Sequence, residues 1–94
     1  MSTYMSTQSA EVQTLQDMMT QYCHYYPSVY PDMRKLREVL TLLSDQQKLH
    51  LLHQEYSGTW TPLRYAALRD HTEIISTLLT SLQSSAYRLK LLMV

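Results

Sequence analysis

The sequence predicts an all-α fold, and three observations carry that prediction. The chain has a single glycine in 94 residues, too few for a turn-rich β fold with its many positive-φ positions. Its second half is rich in leucine at three- and four-residue steps, the spacing of one helix face. The stretch from Thr61 to Leu79 reads as two short helices folded back on each other. Neither is long enough to be stable alone in water, so each must pack on a neighbour. Ninety-four residues allow one such domain.

Residues 1–8 are polar and are expected to be disordered. A first helix is expected from Ser9, a candidate N-cap, to Tyr25. Val12, Leu15, Met19, Tyr22 and Tyr26 form its apolar stripe. The following stretch, Tyr25-Tyr26-Pro27-Ser28-Val29-Tyr30-Pro31, cannot continue a helix past its prolines. It is either a proline- and tyrosine-rich ligand or a connector whose tyrosines pack on the core. The connector reading is preferred, because a sustained polyproline pattern is missing.

A second helix is expected from Pro31 to Leu43, with Pro31 at its first position and Met33, Leu36, Val39, Leu40 and Leu43 inward. Ser44-Asp45 ends it and can cap a third, short helix over Gln46–Gln54. Tyr56-Ser57-Gly58-Thr59-Trp60 is a turn, with Gly58 the natural positive-φ position. Thr61 then caps a helix that has Pro62 at its first position and Leu63, Ala66 and Ala67 at helical spacing. A break at Arg69-Asp70-His71 precedes the last clear helix, with its stripe of Ile74, Ile75, Leu78, Leu79 and Leu82.

An internal repeat runs through these elements. Thr41-Leu42-Leu43 recurs as Thr77-Leu78-Leu79 at an offset of 36, and Leu49-His50-Leu51-Leu52 recurs as Leu89-Lys90-Leu91-Leu92 at an offset of 40. The difference is assigned to the connectors, Ser44–Lys48 in the first copy and Thr80–Arg88 in the second.

The Thr61–Leu79 stretch resembles an ankyrin repeat. Thr61, Pro62, Leu63, Ala66, Ala67, His71, Glu73, Ile75, Leu78 and Leu79 match that pattern in register without a gap. Two positions depart from it: Arg64 stands where the family has histidine, and Asp70 where it has glycine. The family's glycine two residues before Thr-Pro is Thr59 here, so the hairpin is shifted. The resemblance implies an ankyrin-like helical solenoid fragment of the long-period kind, with one complete unit at about 56–92. Residues 9–43 would form an N-terminal capping helix and a degenerate repeat half. Residues 44–94 would hold the repeat unit and the start of the next. Repeat units bury their apolar faces on one another, yet Leu89, Leu91, Leu92, Met93 and Val94 look bare. The expectation is a fragment, a truncated gene product, or a chain that covers this end by self-association.

Composition narrows the function. Net charge is zero, which leaves no electrostatic footprint for nucleic acid. The N-terminus has no basic region followed by an apolar core, and no apolar run approaches the ~20 residues of a membrane span. One cysteine, Cys23, excludes an internal disulfide and fits a reducing compartment, so a cytoplasmic location is expected. Cys23, His24, His50, His53 and His71 lack the spacing of a metal site. Neither a nucleophile elbow nor a phosphate-binding glycine loop is present, so neither catalysis nor a cofactor is expected.

Binding to a protein partner is the remaining class. In ankyrin proteins the partner meets the hairpin tips and the outward positions of the first helix. The resemblance carries these onto Ser57, Gly58, Trp60, Leu68 and Arg69. Trp60 and Arg69 belong to the residue types that dominate interfaces, though packing on a neighbouring unit would equally explain Trp60. Arg64 is expected to face solvent or to pair with Glu73. The expected role is a protein–protein interaction or scaffold module. A purely structural N-terminal cap and a small self-associating helical domain are the alternatives.

Overall fold

The computed structural model describes residues 10–93. Six helices run in order: α1 (Ala10–Tyr25), α2 (Met33–Thr41), α3 (Asp45–Leu52), α4 (Pro62–Leu68), α5 (Thr72–Ser81) and α6 (Ser85–Leu92). No strand occurs among the described residues, where a single isolated bridge joins Ser57 to Trp60. The all-α prediction therefore holds. The expected disorder of residues 1–8 and the expected cap at Ser9 lie outside the described residues, as does Val94.

By contact, α1 with α2 and α3 forms one set of helices, and α4, α5 and α6 form a second. Helix α1 lies against α2, α3 and α4; α2 lies against α5, and α3 against α6. Each helix of the first set thus meets its counterpart in the second. Between them lies one core of buried apolar residues. Leu15, Met19 and Tyr22 come from α1, Leu36 and Leu40 from α2, and Leu51 and Leu52 from α3. Ala66, Ile74, Leu78, Leu82 and Leu91 complete it from the second set.

Local chemistry explains the helix boundaries. Asp32 caps α2, its carboxylate accepting from the Arg34 and Lys35 amides. The helix therefore begins at Met33 rather than at Pro31, whose ring is buried ahead of the cap. Ser44 and Gln47 form a reciprocal capping box, which starts α3 at Asp45, one residue earlier than expected. Thr61 caps α4 by accepting from the Arg64 amide at 3.3 Å, with Pro62 at the first position. Arginine in place of histidine at residue 64 does not disturb this bond, because the donor is backbone.

The end of α4 is a Schellman motif. The His71 amide donates to the Ala66 carbonyl at 2.8 Å and the Asp70 amide to Ala67 at 3.2 Å. Asp70 sits at φ 60°, the left-handed conformation expected of it, and Gly58 at φ 62° is the other positive-φ residue among those described.

The repeat register at α2 and α5 requires correction. The identity of Thr41-Leu42-Leu43 with Thr77-Leu78-Leu79 equates Leu42 with Leu78. Leu42 is 66% exposed and Leu78 is fully buried. By burial, Leu36 corresponds to Ile74 and Leu40 to Leu78, an offset of 38. The string match is fortuitous, because α2 stops at Thr41 and leaves Leu42 outside the helix. At α3 and α6 the offset of 40 agrees with burial, since Leu51 and Leu91 are both core residues.

Candidate protein-binding surface

The long connector between α1 and α2 folds its tyrosines onto the junction of α4 and α5. Tyr22, Tyr26 and Tyr30 surround His71, with ring centroids 5.7, 4.7 and 5.3 Å from the imidazole. The Tyr22 hydroxyl lies 2.6 Å from His71 Nδ1. Tyr22 is fully buried, and burial raises its hydroxyl pKa well above the usual tyrosine value, with neighbouring ionisable groups adding to the rise. The connector reading of this segment is therefore the one its packing supports, and His71 is used structurally.

Tyr65 extends the cluster toward the surface. Its ring meets Tyr22 edge-on at 5.2 Å and Trp60 at 6.4 Å. The Arg69 guanidinium covers Tyr65 at 5.3 Å and Tyr26 at 5.5 Å. Arg64 lies over Trp60 at 5.6 Å and also donates to the Thr59 carbonyl at 3.1 Å. The result is a layered site. Tyr22 and Tyr65 form a buried floor, Tyr26 and Trp60 are half-buried, and Arg64 and Arg69 are exposed above them.

The five sequence-predicted residues divide on this geometry. Trp60 and Arg69 come together through Tyr65. Ser57 and Gly58 lie in the tight turn before them, closed by Trp60 N donating to Ser57 O and Tyr56 N donating to Trp60 O, each at 3.0 Å. Leu68 is 57% exposed at the end of α4 and makes none of these ring contacts. Arg64 was expected at solvent or on Glu73. It is exposed, as the first alternative has it, with its guanidinium over Trp60, and the Glu73 carboxylate lies 3.7 Å from Arg37 in an exposed pair. Tyr26, Tyr65 and Arg64 are the members that sequence reasoning did not assign to the aromatic site. The eight tyrosines of the chain were the available signal.

Elsewhere the polar chemistry is structural. Lys48 is almost fully buried, donates to the Ser81 carbonyl and lies 3.4 Å from Asp45. Asp45 also accepts from the Gln83 and Ser84 amides at 2.9–3.1 Å. These amides, with desolvation opposing them and Lys48 assisting, hold the Asp45 carboxyl below its ordinary pKa. A cleft of about 350 Å³ beside this staple is lined by Arg37, Leu40, Thr41, Lys48, Thr77 and Thr80, among others. Within it the Lys48 ammonium donates to the Ser81 backbone carbonyl and the Ser81 hydroxyl to the Leu78 carbonyl.

Cys23 is buried as a free thiol, its pKa pushed up to about 11 by burial. His50 and His53 do not converge, because His53 Nε2 lies 3.2 Å from the Lys90 carbonyl oxygen and His50 lies 3.5 Å from Gln54. Among the described residues no group of three or more His, Cys, Asp or Glu could hold a metal ion, and no helix is long and apolar enough to cross a membrane. Compared with models of known protein families, with curated proteins and with solved structures, the chain matches none.

Proposed function

We propose that this chain is an ankyrin-like protein-interaction module, a stack of helical units that binds a protein partner and carries out no catalysis. One observation carries the reading. The Arg69 guanidinium lies over Tyr26 and Tyr65, and that of Arg64 over Trp60, where the turn before α4 meets the connector after α1. Tryptophan, tyrosine and arginine are the residue types that dominate interface energetics. Here stacking already places the two arginines over aromatic rings, which lessens the side-chain ordering that binding would require. The counterpart contacts of α1 with α4, α2 with α5 and α3 with α6 favour a solenoid. The free, buried Cys23 suits a reducing compartment such as the cytoplasm.

The test is a paired substitution, Trp60→Ala with Arg69→Ala. Proteins captured by the wild-type chain are quantified against those captured by the variant, with thermal melting measured in parallel. Loss of a specific partner with little change in melting supports the interaction role. Loss of folding would favour the other reading, a structural cap, which the packing of Trp60 and Arg69 on Tyr65 also permits.

A further inference from the structure

We infer that the chain associates with copies of itself head to tail, the outer face of α6 of one copy seating in the groove between α1 and α3 of the next. This surface is separate from the aromatic site, and its test does not depend on that site.

The argument starts from the contact between α3 and α6, which recurs in sequence 40 residues apart. Toward α6 the third helix presents Leu49, Leu52 and His53. Leu52 is fully buried, Leu49 is half-buried, and the His53 ring reaches the Lys90 carbonyl. Forty residues on, the same positions of the α6 segment are Leu89, Leu92 and Met93. These are 59%, 58% and 75% exposed. At about 100° per residue they project opposite Tyr87 and Leu91, which face the core. Three large apolar side chains therefore repeat a surface that is covered in the first set of helices.

The complementary surface lies at the other end of the stack. On α3 the side opposite α6 carries Gln47, His50 and Gln54. These residues, with Gln16 of α1 and Leu51, line a groove of about 610 Å³. Forty residues after Gln47 and His50 come Tyr87 and Lys90. On α6, Tyr87 is partly buried against the core, and the backbone carbonyl of Lys90 is where His53 of α3 reaches the helix. The groove is therefore the surface of α3 that corresponds to the α3-facing surface of α6. An α6 from a second copy would meet it as α3 meets α6 within one chain.

Charge agrees. Helix α1 beside the groove carries Glu11 and Asp17 and no lysine or arginine, whereas α6 carries Arg88 and Lys90 and no acid. Two α6 faces meeting about a two-fold axis would instead bring like charges together, so the second copy offers its groove rather than its own α6. A head-to-tail contact does not close at two copies.

Sedimentation over a concentration series tests this on the full chain. The expected wild-type result is an average mass that climbs past the dimer without a plateau. Leu89→Lys with Leu92→Lys blocks the α6 face, and Gln46→Arg with His50→Arg blocks the groove, so that a junction between the two blocked surfaces brings like charges together. Each variant alone is expected to associate at least about tenfold more weakly, since burying even one leucine is worth that much. Mixed in equal amounts, they retain one good junction and are expected to form a dimer that grows no further. All four substituted residues are exposed, so far-UV spectra and melting should match wild type. Leu89→Gln and Leu92→Gln provide the same reading if the charged pair perturbs folding. A monomer at every concentration, a groove variant that still dimerises alone, or a mixture that stays monomeric would each overturn the inference.

Discussion

The Tyr22 hydroxyl and His71 Nδ1, 49 positions apart in the chain, meet at 2.6 Å and join α1 to the junction of α4 and α5. Tyr22 is fully buried and is surrounded by three other tyrosines. Removing the hydroxyl keeps the ring packing and deletes only the bond. Tyr22→Phe should therefore cost about 1–3 kcal/mol, the penalty for a part-buried polar partner left unmade. For a domain of this size each kcal/mol lowers Tm by roughly 4–8 °C. Urea unfolding that gives Tyr22→Phe the wild-type stability would refute the assignment. Tyr22→Leu should cost more, because ring contacts go with the hydroxyl.

Asp45 ties α3 to the start of α6 through two backbone amides, and its folded pKa lies below the ordinary value. A depressed carboxylate pKa adds stability that is present above the unfolded pKa. That stability is lost as pH falls through the folded pKa. Stability should decline below about pH 4, where an unperturbed aspartate titrates. Asp45→Asn should be less stable than wild type at pH 7, and the gap should narrow at pH 2–3. Chemical denaturation at both pH values measures this, and a gap that stays constant would rule out Asp45 as a source of the acid sensitivity.

Much of this architecture was legible from spacing alone, and its failures have physical causes. The helices at 61–81 were readable because Thr61, Pro62 and the Ile74–Leu78 step are local signals that tertiary packing reinforces. Asp70 and Gly58 were readable because positive φ admits few residue types. The register of α2 against α5 was not, since a three-letter match outranked burial, which only the structure displays. The buried Lys48 was also hidden. Its position in a short helix reads as solvated, and its partners, the Ser81 carbonyl and Asp45, are supplied partly by a residue 33 positions away. The aromatic site was half legible. Trp60 and Arg69 stood out by type, but Tyr22 and Tyr26 join them only because α1 and the connector after it pack on α4.

Asp70 does a glycine's work at the end of α4. Its φ of 60° lies in the left-handed region, which costs an ordinary L-residue about 1–2 kcal/mol and an aspartate less. Asp70→Gly removes that strain while leaving the two Schellman bonds in place, since both donors are backbone amides. The variant should gain up to about 1 kcal/mol. Asp70→Val should lose stability, because a β-branched residue is a strong outlier at positive φ. Thermal melts that rank valine at or above aspartate would contradict this account.

Two buried groups, Tyr22 and Cys23, and the partly buried Tyr56 add to the fold's sensitivity to alkali. Burial raises the Cys23 thiol to about 11 and the Tyr56 hydroxyl to about 12, and it raises the Tyr22 hydroxyl further still. Tyr56 also donates to the Leu51 carbonyl at 2.7 Å, a bond available only to the neutral form. For each group the folded state retains its proton longer than the unfolded chain. Their stabilisation is complete below the unfolded pKa and is lost as pH rises toward the folded one. Stability should begin to fall above about pH 8.5, where an exposed cysteine titrates, and more steeply above about pH 10, where tyrosine does. Cys23→Ser should lose the first part of this decline, because serine does not titrate there. The thiol itself should react with a disulfide reagent at pH 8 only as fast as the protein opens, since a buried, protonated thiol is a poor nucleophile. Labelling in the native state at the rate of the urea-unfolded chain would show that Cys23 is accessible and would remove it from this set.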